Sequence, residues 1–133
     1  MGYQQNRKKG VIRDVLRMAA ILMSGALQDK YKQPKFVENG GAEEWMKQFL
    51  QKIDAGEINE AENQLLERLE IQLETGELDR TSIEAALEIY GYMNEKEDDF
   101  LEAHEYTREE IEEGIERVLG MAGLKLPDTM LWE

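Results

Sequence analysis

Residues 107–123 read TREEIEEGIERVLGMAG, and this stretch decides the fold. Thr107 followed three residues later by Glu110 is a capping box, in which each side chain bonds the other residue's free backbone N–H at a helix start. Glu109 and Glu110 crowd the first turn, where the positive end of the helix dipole favours anions. Ile111, Ile115, Val118, Leu119 and Ala122 then recur at helical spacing and draw one apolar stripe. Gly123 closes the segment, because glycine takes the left-handed conformation that ends many helices.

The rest of the chain is written in the same terms. Upstream, Asp79 or Ser82 opens a helix whose face is Ile83, Ala86, Leu87, Tyr90 and Met93, and a short helix over 95–103 offers Phe100, Leu101 and Ala103 for packing. Asn59 with Glu62 resembles a second capping box, opening a helix that carries Ala61, Leu65, Leu66, Leu69 and Leu73 and stops at Gly76. A helix over 42–55 presents Trp45, Met46, Phe49, Leu50 and Ile53 and ends at Gly56. The first helix, over 5–28, repeats Val11, Ile12, Val15, Leu16, Ala19, Leu22, Met23, Ala26 and Leu27 along one stripe. Between Met18 and Met23 its apolar surface widens until it demands burial on more than one side. Residues 29–41, with Pro34 and Gly40-Gly41, read as a loop. The turns Gly56-Glu-Ile-Asn59 and Gly76-Glu-Leu-Asp79 match each other twenty residues apart. Each predicts a glycine stop, an aliphatic plug and an Asn or Asp cap, a link short enough to join antiparallel helices.

Composition narrows the function classes. The 133 residues contain no cysteine and a single histidine, His104, which rules out a disulfide framework and disfavours structural zinc. No apolar run approaches the ~20 residues of a membrane span, and a cytoplasmic location is expected. The net charge of −13 is uneven. Residues 1–36 hold eight Lys/Arg and two Asp/Glu, a balance of +6; residues 37–133 hold eight and twenty-seven, a balance of −19. Such an acidic body repels phosphate backbones, so direct nucleic-acid binding by it is not expected. The basic leader, with Arg7, Lys8, Lys9, Arg13 and Arg17, either docks on that body or on a partner.

No catalytic, cofactor-binding or metal-binding constellation is present in the sequence. His104 has Leu101, and not a glutamate, three residues before it, so the Glu-x-x-His pattern of di-metal bundles is missing. The carboxylate runs read as solvated faces, and no phosphate-binding glycine loop or nucleophile elbow occurs. Tyr90 and Trp45 sit in apolar stripes and are expected in the core. Trp132, in the tail 124–133 with Met130 and Leu131, is the better candidate for an anchor.

The residues of Ile58-Asn-Glu-Ala-Glu-Asn-Gln-Leu-Leu-Glu67, Ala86-Leu-Glu-Ile-Tyr90 with Met93-Asn94, Phe100-Leu-Glu102 and Tyr106-Thr-Arg-Glu-Glu-Ile-Glu-Glu-Gly114 resemble a family of short uncharacterised all-helical proteins from Firmicutes. The resemblance covers about residues 58–124. It implies an all-α fold and a bacterial cytoplasmic source, and it brings no functional residues.

The expectation is therefore one all-α domain over 1–133, with a basic helix one and linker (1–36), an acidic helical body (37–123) and a tail. Its five to six helices form antiparallel hairpins, as a bundle or with tetratricopeptide-like packing. The expected role is a non-enzymatic interaction or regulatory module that needs no cofactor and binds another protein or a second copy of itself. Its candidate surface is Arg13, Arg17, Met18, Ile21, Leu22, Met130 and Trp132. An acidic nucleic-acid mimic that binds a basic protein is the alternative, and an enzyme built on a carboxylate cluster is a third, weaker one.

Overall fold

The computed structural model describes residues 2–26 and 40–124, with side chains for these except residues 2–6, 22, 24–26 and 40–43. Among the described residues there are six helices and no strand: α1 (Gly2–Ala26), α2 (Gly40–Asp54), α3 (Ile58–Thr75), α4 (Arg80–Asn94), α5 (Asp98–Ala103) and α6 (Arg108–Met121). The all-α expectation holds. The expected loop over 29–41 lies outside the described residues except for Gly40 and Gly41, which open α2.

Helix α6 starts as its sequence dictates. Thr107 accepts from the Glu110 backbone N–H and Glu110 reaches back to Thr107, completing the box. Asp79 likewise caps α4, its Oδ1 accepting from the Ser82 N–H at 2.9 Å. The Asn59 box does not form. Helix α3 begins one residue earlier, at Ile58, and Glu57 precedes it without a side-chain cap. Burial decides the matter: Ile58 is fully buried, Glu62 is taken by the Tyr90 hydroxyl at 2.8 Å, and the Asn59 amide turns to the Glu105 carbonyl at 3.5 Å. The two matching turns are thus alike only in their first halves. Gly56 and Gly76 are both left-handed, and the next N–H bonds back to Lys52 and Gln72 respectively.

Packing centres on α4, which meets α1, α2, α3 and α6. Its burial extends beyond the expected stripe to Ala85 and Ile89, so most of its circumference is covered. The sequence gives that place to α1, whose girth is apolar around Met18–Met23. In the structure α1 buries Ile12, Val15, Ala19 and Met23 while leaving Ile21 59 % exposed. Because α1 returns to both α4 and α6, the arrangement is a bundle around a central helix, unlike stacked repeats that touch only sequence neighbours. Two tyrosines enter this core. Tyr90 fits only because residue 114 is glycine: a Cβ there would lie 2.3 Å from the phenol oxygen.

Among the described residues one charged side chain is wholly buried. Arg108, the first residue of α6, has no exposed surface. Its Nε donates to Asn94 Oδ1 at 3.1 Å, Nη1 to Asp98 Oδ1 at 2.6 Å, and Nη2 to the carbonyls of Asn94 and Lys96 at 3.0 and 2.8 Å. Those carbonyls lie at and just past the C-terminus of α4, the negative end of its dipole, where a cation is favoured. Asn94 in turn donates to the Lys9 carbonyl at 3.1 Å, tying α1 into the same knot. Removing the guanidinium leaves the buried Asn94 side chain and carbonyl unsatisfied and takes the partner from the Asp98 carboxylate, which is 32 % exposed, a loss on the order of 3 kcal/mol. We therefore expect Arg108→Ala to lower the urea midpoint by that much stability. Arg108→Lys should recover only part of it, since one ammonium cannot serve a fork of acceptors.

Candidate functional site

At the end of the bundle where α1, α3 and α6 finish and α4 begins, the helices leave an apolar cavity of about 260 Å³. Each wall residue is there because a helix stops or starts. Met23 is near the end of α1, Leu73 is in the last turn of α3, and Leu78 plugs the link that follows Gly76. Ile83 stands one turn into α4, and Met121, Ala122 and Leu124 mark the end of α6. Among the described residues the lining carries seven apolar side chains, with Asp79 and Arg80 as its charges. Both charges are engaged: Asp79 in its cap, and Arg80 with Glu84 at 2.7 Å. Met23 and Ile83 form the floor, 4 % and 2 % exposed, while Leu73 is 49 % exposed at the mouth. Gly123, left-handed, turns the chain so that the Leu124 N–H bonds back to Leu119 at 2.9 Å.

Such a lining has no nucleophile or acid–base pair, so its chemistry is that of apolar burial. Titratable groups with displaced affinities lie elsewhere. Burial pushes the Glu62 carboxyl above the ordinary value of 4.5, against the pull of its bond from Tyr90. Burial and the Glu62 charge push the Tyr90 phenol far up in turn. The buried Tyr106 hydroxyl is turned toward the same carboxylate and completes no hydrogen bond. Glu112 is also raised by burial, opposed by Lys8 at 3.1 Å. Glu62 and Glu112 each have their own donor on a different element. Among the described residues no group of three or more His, Asp or Glu is placed to hold a metal ion. His104 lies flat against Gly56, where a Cβ would meet its Cε1 at 2.3 Å, and its ring centre is 4.7 Å from that of Phe100.

The residues nominated from sequence are scattered. Arg13 makes a two-pronged pair with Glu95 at 2.7–2.8 Å, and Arg17 pairs with Asp14 at 3.0 Å within α1. Lys8 reaches Glu109 and Glu112 on α6, so the basic leader neutralises part of its own acidic body. Met18 is half-buried against the core, whereas Ile21 is exposed on the far side of α1 from Met23. The Leu22 side chain, Met130 and Trp132 lie outside the described residues. Trp45 is half-buried, edge-on to Phe49 at 5.5 Å, with the Arg68 guanidinium 4.2 Å above its ring. The cavity itself was not visible in the sequence. Its wall residues come from four helix ends up to 101 positions apart, Met23 to Leu124, and each reads locally as an ordinary core or cap residue.

A central-helix bundle with an apolar opening among its described residues defines a class by architecture alone: a small all-α domain. The chain belongs to DUF6483, a family of unknown function, whose model matches residues 2–123. That match takes in the stretch on which the family resemblance rested and extends through α1 and α2. Comparison with curated proteins and with solved structures finds no match. Among the described residues no helix is long and apolar enough to cross a membrane.

The raised carboxyls fix a sign for pH dependence. A native value above the unfolded one means that the folded chain holds a proton the unfolded chain releases. The resulting stabilisation is complete below about 4.5, the ordinary carboxylate value, and is lost as pH rises through the native value of Glu62. Glu62→Gln still accepts from Tyr90 but cannot titrate. Relative to wild type it should therefore be most favoured at neutral pH, with the gap closing on acidification; parallel urea-midpoint profiles between pH 4 and 7 would contradict this.

Proposed function

We propose that this protein is a non-enzymatic interaction module that receives an apolar segment of a protein partner in the cavity between α1, α3, α4 and α6. The observation that carries the reading is the lining: seven apolar side chains around about 260 Å³, open to solvent at a half-exposed leucine. A concave opening lined by apolar side chains with few polar groups is the kind of place where an apolar side chain of another molecule docks. Two methionines in the wall suit the role, since unbranched thioether side chains adapt to differently shaped partners. The candidate surface thereby moves from the outer face of α1 to its buried edge at Met23, because α1 commits its main stripe to its own chain.

Internal pairing of Lys8 and Arg13 with the acidic body favours this reading over a nucleic-acid mimic. A mimic would present its carboxylates unpaired to a basic partner. Site-specific photocrosslinking separates the two. A benzoylphenylalanine at position 73 should give discrete protein adducts in cells of the source organism, unaffected by high salt during capture. The same group at position 113, on the exposed acidic face of α6, should give none. Adducts from position 113 alone, lost at high salt, would overturn the cavity reading in favour of the acidic surface. An adduct of twice the chain mass from position 73 would identify the partner as a second copy.

A further inference from the structure

The cavity has a sign as well as a shape. Helices α1, α3 and α6 all finish at it, so the negative ends of three helix dipoles meet around one apolar opening. Such an end favours a Lys, Arg or His in its last turn, where the cation answers the dipole and the last carbonyls. None of the three last turns has one. Carboxylates stand there instead. Glu74 directly follows the wall residue Leu73 and Glu77 directly precedes Leu78. Both are exposed, and neither side chain has a partner among the described residues.

Cations of the same elements are matched in place or committed elsewhere. Arg80 on the wall and Arg117, four residues before Met121, pair with Glu84 and Glu70 at 2.7 and 2.5 Å. On α1, Lys8, Arg13 and Arg17 pair with Glu112, Glu95 and Asp14. The positive start of α4 is answered by Asp79, whose Oδ1 accepts from the Ser82 N–H. What the opening lacks is a positive charge beside an apolar group.

We infer that the cavity selects an apolar anchor with a cation next to it: an aromatic or aliphatic side chain on a partner segment that carries Lys or Arg within a residue or two. The inference rests on the reading of the cavity as a docking site and adds the chemistry of its occupant. Burial of the anchor supplies the affinity, and the negative rim decides which flanks are admitted. An acidic flank meets three negative helix ends with Glu74 and Glu77, whereas a basic flank supplies the missing cation. Specificity of this kind is a difference between two affinities, set as much by the partner refused as by the partner accepted. Because the rim is exposed and the anchor is buried, salt screens the preference and leaves the apolar contribution in place.

Three indoles of one shape and different charge make the test: tryptamine, indole and indole-3-propionate. Each is titrated into the full chain carrying methyl-labelled methionine, and Met23 and Met121 are followed. At low salt tryptamine should bind at least about fivefold tighter than indole-3-propionate, as a charge at a helix end dictates, with indole between them. At high salt the three should converge. Glu74→Gln combined with Glu77→Gln should narrow the low-salt ratio roughly twofold or more. Glu113→Gln, on the exposed face of α6, should leave it unchanged. Equal affinities at low salt would overturn the selection and leave the cavity standing as a docking site. A ratio moved as much by Glu113→Gln as by the rim pair would overturn it too, since the preference would then belong to the net charge of the chain. Absence of saturable shifts at Met23 and Met121 with all three indoles would refute docking itself, and the selection with it.

Discussion

The architecture depends on one buried guanidinium. Arg108 gathers the end of α4, the α4–α5 link and the start of α5 onto the first residue of α6, and through Asn94 it holds α1 as well. A buried cation without partners would cost several kcal/mol in desolvation, so the carbonyls and Asp98 must be where they are whenever Arg108 is inside. The constraint works in both directions: the site tolerates only the geometry that satisfies all of its donors. This knot supplies register to a bundle whose apolar contacts alone would accept many small slips.

The knot also gives the molecule two unlike ends. At one, α1 lays Lys8 and Arg13 on Glu112 and Glu95, and the polar groups around Arg108 are closed in upon each other. At the other, some 20 Å along α6 at helical rise, the termini of α1, α3 and α6 diverge around the start of α4. There the walls are Met, Leu and Ile, and the charges that remain serve as cap and rim. The closed polar end fixes the fold, while the open apolar end is free of that duty, and it is there that we propose recognition. Glu62, Tyr90 and Tyr106 lie between them, with Tyr90 filling the space that Gly114 leaves and donating to the half-buried Glu62.

Much of this was legible in residues. The Thr107–Glu110 box, the Asp79 cap and the glycines at 56, 76 and 123 were readable because each satisfies backbone groups within a few positions. The Asn59 box failed because its partners were wanted elsewhere: tertiary contacts to Tyr90 and to the Glu105 carbonyl outcompeted a local bond. The centrality of α4 was not legible because Ala85 and Ile89, buried outside its stripe, owe their burial to neighbouring helices that no local pattern places. Arg108 left one clue, a cation in the first turn of a helix, where the dipole disfavours it. Read that way, its charge points to another helix's C-terminus. The cavity left no clue, as it is a space between elements and not a property of any of them.

The seven methionines provide the most direct test, because they report separately on the cavity and the remaining core. With methyl-labelled methionine, indole is titrated into the full chain and the methyl resonances are followed. An accessible apolar docking cavity predicts saturable shifts of Met23 and Met121, which line it, with Met46 and Met93, buried elsewhere, unmoved. Unmoved Met23 and Met121 resonances, or equal shifts at all four, would contradict the assignment of this end of the bundle as the recognition site.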